Sequence, residues 1–510
     1  MQFPQTPSPS LPLYRVNIYM VMDKTAQHQH NMLPERVLLH HSDKAPLPPV
    51  SVHIDVHEDH HQNQTLIKDS WLPITQSRHG NSFFAAFHIL NSNLGFQALM
   101  LPSAFAALGW AWGSVCFSLA FVWQLYTIFL LLLLHESVPG LRYSRFLSLA
   151  TAAFGQRMGK VAAFFPVMYL SGGSCVMFII TGSWTLQLFF NTFCPKDTCH
   201  AHPLSGALWF LVFTSIAILV AQLTPSLNSV AGVSIVGAIT AITYCTLFWV
   251  LSLSKGRPAS VSSAPSLSLP GHHHPSLSNV SKSINAIGII VLSFRGHNVM
   301  LEIQGTLPSS TEKPCKELMR KGVIVAYAVI AMCVFPLAIA GFWAYGNQIP
   351  EGGMVSAFSK VHGHQVTKFT MGLLLYLPIT IHCLSSFQVY AMPVFDSLEM
   401  GYIKAKKKRC SRLVRGCMRV MFGALTLFIA VTFPFLPKLA ALLGGMTLVP
   451  VTYAYPCFMW VAIKKPPKGA SQWCFNVALG CLGLLLSLLL AASSIWTLAR
   501  YGFHANFFNP

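Results

Sequence analysis

Residues 87–102 read FHILNSNLGFQALMLP, and residues 288–302 read GIIVLSFRGHNVMLE. Both begin as apolar runs and both are interrupted, the first by Asn91, Asn93, Gly95, Gln97 and Pro102, the second by Ser293, Arg295, Gly296, His297, Asn298 and Glu302. A backbone group left unpaired in hydrocarbon costs about 2–7 kcal/mol, so neither stretch suits a continuous lipid-facing helix. The residues predict a break around Asn91 to Gly95 and a second one after Val291.

Working outward, the chain holds about eleven uncharged or nearly uncharged runs long enough to cross about 30 Å of hydrocarbon. They cover 83–105, 109–134, 162–193, 205–223, 228–252, 283–302, 322–345, 367–393, 419–434, 438–463 and 473–498. The composition agrees: only 10% of the 510 residues are charged and 53% are hydrophobic, too little polar surface to cover a water-exposed globule. Runs such as 125–134 (LYTIFLLLLL) lack the alternation of a membrane barrel. The expectation is an all-α integral membrane bundle. The broken runs are the first and the sixth, five spans apart, and an odd number of spans inverts a repeat. Two five-helix repeats of opposite topology, 83–252 and 283–463, with an extra helix at 473–498 and a midplane site between the breaks, account for this.

The net charge of +19 is spread thinly, which argues against nucleic acid as a partner and for a record of topology. With the N-terminus in the cytoplasm, Arg142, Arg145, Arg157, Lys160, Lys313, Lys316, Arg320, Lys321, the run from Lys404 to Arg419, and Lys464, Lys465 and Lys468 all fall inside. The C-terminus then lies outside, and the 404–419 run reads as an anchor on anionic inner-leaflet lipid. Residues 1–80 are polar and rich in Pro and His and read as a disordered cytoplasmic tail; His57, His60 and His61 in it read as solvated imidazoles more readily than as a metal site, and no metal site is expected. Residues 254–282, with His272, His273 and His274, read as a flexible extracytoplasmic loop, and Asn279-Val280-Ser281 in it is a sequon hard against the next span. Cys194 and Cys199 share an outer loop, where a disulfide and free thiols are equally open.

The breaks carry the candidate site. Asn91, Asn93, Leu94, Gly95, Phe96 and Gln97 from the first and Ser293, Phe294, Arg295 and Gly296 from the second are the expected substrate-binding residues, because freed N–H groups attract a carboxylate and freed carbonyls hold an ammonium or a cation. The competing reading of Gly95 and Gly296 is close helix packing. His297 and Glu302 are candidates for moving a proton. Thr380, His382, Ser385 and Ser386 in the eighth span offer a further ion or proton site, against the simpler reading that hydroxyls bond the preceding turn. Tyr169 and Ser171 to Ser174 are expected to line the cavity from span three. Arg295, costly in lipid by about 2.5–3.5 kcal/mol, must face a cavity or a partner, either as a fixed charge in place of a metal cation or as the anchor of a substrate carboxylate.

The strings Phe294-Arg295-Gly296-His297-Asn298 through Ser310, Gly341-Phe342-Trp343-Ala344-Tyr345-Gly346-Asn347, Phe387 through Asp396, and Leu108-Gly109-Trp110 resemble the plant lysine/histidine transporter-like permeases of the amino acid/auxin permease family over about residues 80–500. The resemblance implies a LeuT-type fold with an eleventh helix, amino acid substrates and coupling to protons. The chain departs from better-known members at Gln97, which stands where they carry a second glycine, and at Arg295, where they carry a small or apolar residue. Substrate identity therefore does not transfer with the resemblance. No second His follows His135-Glu136 one turn on, and no nucleotide loop, metal-type Cys cluster or nucleophile elbow is present, so neither an enzyme nor a primary pump is expected. The expectation is a proton-coupled symporter of amino acids, most simply in the plasma membrane, needing no cofactor beyond the proton; a nutrient-sensing receptor on the same fold is the competing class. Protein partners are not specified by any of these residues.

Overall fold

The computed structural model describes residues 71–194, 205–262, 277–310, 312–350 and 352–501, all within one compact unit, His57–Pro510. Among them the regular structure is helical, with a single isolated bridge between Val138 and Leu141. The His-rich segment around His57, His60 and His61, the His272 to His274 cluster, and Cys199 lie outside the described residues. Cys194 is disulfide-bonded.

In chain order the helices are α1 (Ser82–Asn93), α2 (Leu101–Leu134), α3 (Phe146–Phe154), α4 (Gln156–Phe193), α5 (Gly206–Leu223), α6 (Ala231–Lys255), α7 (Leu277–Leu292), α8 (His297–Gly305), α9 (Cys315–Tyr345), α10 (Gly353–His362), α11 (Leu377–Lys406), α12 (Arg412–Thr432), α13 (Leu436–Val449), α14 (Tyr455–Lys464) and α15 (Ser471–Tyr501). Among the described residues, ten continuous helical stretches are long and apolar enough to cross a membrane. The difference from about eleven has a local cause. α1 is only 12 residues long, and the helix that follows the first break is joined to the second span through a single sharp turn, so the two count as one stretch.

That junction is Gly109, with φ +76° inside α2. The Phe105 ring sits 6.0 Å from the Phe117 ring and against Gly113, separations that a straight helix rising about 1.5 Å per residue would stretch to about 18 and 12 Å. The chain therefore folds back at Gly109, which closes the first span and opens the second. Positive φ is the conformation glycine adopts at no steric cost.

Helix α7 begins at Leu277, inside the segment read as a loop to 282. Its polar start is satisfied by α15: Ser281 Oγ lies 2.9 Å from Ser493 Oγ and 3.0 Å from Thr497 Oγ1, and Asn285 Nδ2 donates to Thr497 Oγ1 at 3.1 Å. A hydroxyl ladder between two helices looks like linker composition when one strand of it is read alone. The basic run 404–419 needs a similar correction. Arg419 is buried, and its guanidinium donates to the carbonyls of Ala221, Thr224 (3.2 Å) and Pro225 (2.9 Å), capping the end of α5. Arg415 Nη2 pairs with the buried Glu399 Oε2 at 2.8 Å. These two charges hold helices together and do not reach for lipid.

Candidate functional site

The first break is short. After Asn93 the chain passes through Leu94 (φ −89°, ψ 82°) and extended Gly95 (φ −102°, ψ 172°) into a 3-10 turn, Phe96–Met100. Ending a helix frees its last carbonyls, and in a bilayer they need partners. Side chains of α11 supply two: Ser386 Oγ donates to Asn91 O at 2.9 Å and the Tyr390 hydroxyl to Ser92 O at 2.8 Å. Asn93 Nδ2 and Ser92 Oγ turn back to Ile89 O. Tyr327 of α9 completes the cluster, its hydroxyl 2.9 Å from Asn93 Oδ1 and 3.1 Å from Gln124 Oε1.

The second break spans Ser293 to Gly296 between α7 and α8. Gly296 has φ +92°, and a Cβ there would collide with the Asn93 amide, so the two breaks touch at a point where only glycine fits. Ser293 Oγ bonds Ile289 O at 2.8 Å and reaches Gln97 O at 3.4 Å. Phe294 turns the other way, stacking on Phe117 at 5.5 Å.

Beside the crossing lies a cavity of about 330 Å³, walled by α4, α11, α12 and α13 and by the second break. Gln97, Ser174, Arg295, Asn298 and Tyr390 are its polar lining nearest the breaks, and Tyr169 and Thr426 lie farther along. Leu170, Val176, Met177, Leu292, Phe422, Leu425, Ile429 and Leu448 make the rest apolar, and among the described residues no carboxylate lines it. Arg295 is the dominant group. Its Nη2 donates to Ser174 Oγ at 2.6 Å, and its carbon centre sits 5.2 Å from the Phe178 ring and 5.1 Å from the Tyr390 ring. The two rings, their own centroids 5.6 Å apart, thus lie against the same side of the guanidinium, a cation–aromatic arrangement worth about 2 kcal/mol or more when desolvated. Its Nη1 is buried with no partner, and so is Gln97 Oε1. The two atoms share the side of Gly95 that has no side chain: a Cβ there would lie 3.9 Å from the first and 2.6 Å from the second.

Of the residues expected to bind substrate, the structure brings Gln97 and Arg295 to the cavity wall and Gly95 beside them. Asn91, Asn93, Leu94, Phe96, Ser293 and Phe294 shape the breaks, Phe96 by packing its ring against Phe178 at 6.3 Å. His297 is buried against α2, with Nε2 3.0 Å from Thr127 Oγ1, and does not line the cavity. On α11, Thr380 Oγ1 lies 2.9 Å from Thr185 Oγ1, His382 Nδ1 lies 3.1 Å from Gly237 O, and Ser385 Oγ donates to Val233 O. These three knit α11 to α4 and α6 behind the first break. Ser174 and Tyr169 do line the cavity, while Ser171 accepts from Asn298 Nδ2 at 3.1 Å. Tyr390 and Phe178 were not singled out, because an aromatic residue in an apolar run carries no local signal of the cation it will cover.

A second cavity of about 390 Å³ opens at the Lys/Arg-rich end of the bundle, lined by Arg145, Lys160, Lys404, Asp396 and Glu302 among others. Glu302 is buried; its Oε1 accepts the Phe146 N–H at 3.1 Å and its Oε2 has no partner. Next to it Arg145 Nε pairs with Asp396 Oδ2 at 2.6 Å, while Asp396 Oδ1 accepts the Ile74 N–H at 3.3 Å. This pair ties the segment before α1 and the start of α3 to α11. At the same end His135, Glu136 and Cys315 gather within 4.8 Å, with Glu136 held by Arg142 at 3.3 Å. Burial, reinforced by Arg142 and Arg78, pushes His135 down to about 3.

The chain matches the transmembrane amino acid transporter protein family over residues 78–500. It is 50% identical over 445 residues to lysine histidine transporter-like 8 of Arabidopsis thaliana, covering 87% of this chain and 84% of the relative. It is 45% identical to lysine histidine transporter-like 7 of the same plant, covering 87% and 90%. Among solved structures, MhsT in complex with L-phenylalanine superposes with a TM-score of 0.52 at 12% identity, covering 82% of this chain and 99% of that one, a likeness of fold.

Proposed function

The chain belongs to the transmembrane amino acid transporter family, and from that premise we propose that it is a proton-coupled symporter that imports amino acids across the plasma membrane by alternating access. The observation that carries this reading is the meeting of two broken helices at a cavity whose wall bears one desolvated cation, a few neutral polar groups beside it and apolar side chains beyond. Such a site holds a small molecule with a charged head and an uncharged body. The bundle of α1, α2, α7, α8 and α9 rocks against α4, α5, α11 and α12, with Gly95 and Gly296 at the joints.

The coupling species is a proton, with no metal or organic cofactor. Glu302 supports this, since a buried carboxyl with one unpartnered oxygen, lining the cavity at the basic end, is where a proton changes the local charge by one unit. Coupling requires that protonation favour one state over the other, and the adjacent Arg145–Asp396 pair is the element it biases. The basic end faces the cytoplasm, with the N-terminus inside and the C-terminus outside.

The test is uptake of a radiolabelled amino acid panel in oocytes with current recorded at two external pH values. Saturable uptake with an inward current that grows as pH falls, unchanged when sodium is replaced, is the expected result. Absence of saturable uptake for every amino acid would defeat the proposal.

A further inference from the structure

Two buried polar atoms face the crossing of the broken helices without a partner, one a cationic donor and the other a neutral acceptor. They are Arg295 Nη1 and Gln97 Oε1, both within 4 Å of the position a Cβ on Gly95 would take. Native interiors leave few such groups unpaired, and a donor and an acceptor left this close together suit the two ends of one small ligand. Phe178 and Tyr390 cover one side of the guanidinium and Nη2 is held by Ser174, which fixes the charge at the cavity wall.

We propose that Arg295 and Gln97 form a clamp for the head group of a zwitterion, Arg295 taking the carboxylate and Gln97 Oε1 the ammonium, and that Arg295 sets specificity by excluding substrates with a cationic side chain. This rests on the transport reading above and names the substrate class of that same site: neutral α-amino acids with apolar side chains. The body of such a substrate lies along Val176, Met177, Leu292 and Phe422. A lysine or arginine side chain would bring a second positive charge into a cavity with no carboxylate on its wall among the described residues. At about 10 Å, the reach of an extended lysine whose carboxylate is held on Arg295, and an effective dielectric of about 20, that repulsion alone lowers affinity about 15-fold. A guanidinium also matches a carboxylate edge to edge in a way an ammonium cannot.

The test uses the full-length protein purified in detergent and reconstituted in proteoliposomes. Radiolabelled L-leucine is the probe, and L-lysine, 4-methylpentanoate (the carboxylate without the amine) and isoamylamine (the amine without the carboxylate) are competitors. Leucine binds saturably, unlabelled leucine displaces it, 4-methylpentanoate displaces it more weakly, and lysine and isoamylamine do not. Arg295→Gln weakens leucine binding at least tenfold, and Arg295→Lys recovers only part of it. Gln97→Glu places a carboxylate against the guanidinium, weakens leucine binding at least tenfold and lets lysine compete. Should Arg295→Gln fail to fold, Arg295→Lys and Gln97→Glu carry the same comparison. The clamp is overturned if the wild-type protein binds no leucine, if lysine competes as well as leucine, or if a folded Arg295→Gln or Gln97→Glu protein binds leucine like wild type. Transport is read separately: binding with this competition order but no uptake into proteoliposomes retains the clamp and removes the transport reading. Equal uptake of lysine and leucine does the reverse.

Discussion

Replacing Arg145 with methionine removes the only cation the structure places on Asp396 among the described residues while keeping most of the side-chain volume. Asp396 is 1% exposed, and it would retain a single donor, the Ile74 N–H at 3.3 Å. Breaking one side of a buried ion pair costs about 3–5 kcal/mol because the other charge stays desolvated, and the surviving Ile74 bond puts this case near the lower figure. About 3 kcal/mol is more than 100-fold in an equilibrium constant. Because the pair joins the start of α3 to α11, the loss falls on a contact that keeps the basic end of the bundle together. Removing both charges with Arg145→Met and Asp396→Leu leaves no desolvated ion, so the double variant recovers most of the stability. The assay is thermal unfolding of the purified protein, wild type and the three variants in one buffer, with uptake measured in parallel. A single variant within about 0.5 kcal/mol of wild type, or losses that simply add in the double variant, would refute the reasoning.

Gly296→Ala must hold an L side chain at φ +92° and displace the Asn93 amide, so at about 1–2 kcal/mol for the backbone and a comparable clash term it lowers thermal stability and reduces uptake more than tenfold. Arg419→Leu strips three carbonyls at the end of α5 of their donor and destabilises by about 2–4 kcal/mol in the same unfolding assay; Arg419→Lys recovers little, since an ammonium cannot fork across three acceptors. His135 is held neutral in the folded protein, down to about 3, whereas an unfolded histidine takes up a proton near 6.5. The unfolded state therefore binds more protons between those values, so this residue has no effect on stability above about pH 6.5 and costs about 1.4 kcal/mol per pH unit below it. His135→Gln flattens the fall in unfolding temperature between pH 7 and pH 5, and an unchanged slope counts against the assignment.

The two breaks were legible because their cause is local. Asn, Gly, Gln and Arg in an apolar run each state a cost that a bilayer imposes on any continuous helix, and Leu94–Gly95 and Ser293–Gly296 are where the structure places the interruptions. Arg295 could be read as a charge in need of a cavity, which is where it stands. Its surroundings could not be read: Ser174, Phe178 and Tyr390 come from α4 and α11, and nothing in those runs marks one aromatic residue over another. Asp396 and Arg145 lie 251 positions apart, and their pairing is a product of tertiary packing. His297 and His382 could be read only by residue type; the helices they join could not, since His297 bonds Thr127 of α2 and His382 the Gly237 carbonyl of α6. Basic clusters are similarly ambiguous, since Arg415 and Arg419 share composition with exposed neighbours such as Lys408 and Arg412 and differ from them in having partners on other elements.

The bonds from Ser386 and Tyr390 to the carbonyls of Asn91 and Ser92 fasten α1 to α11 at one end only. Such an attachment behaves as a pivot. From Ser92 back to Ser82 is about 15 Å of helix at 1.5 Å per residue, so each 10° of tilt about the pivot carries the Ser82 end through about 2.6 Å while the cavity end scarcely moves. In the alternating-access cycle proposed above, opening at the basic end is then a lever motion, one that also has to release His88 from Ser234 of α6, large where the gap must admit a solute and small where the two breaks keep their contact. Spectroscopic labels near residues 82 and 93, each measured against one on α11, should report distance changes in that proportion.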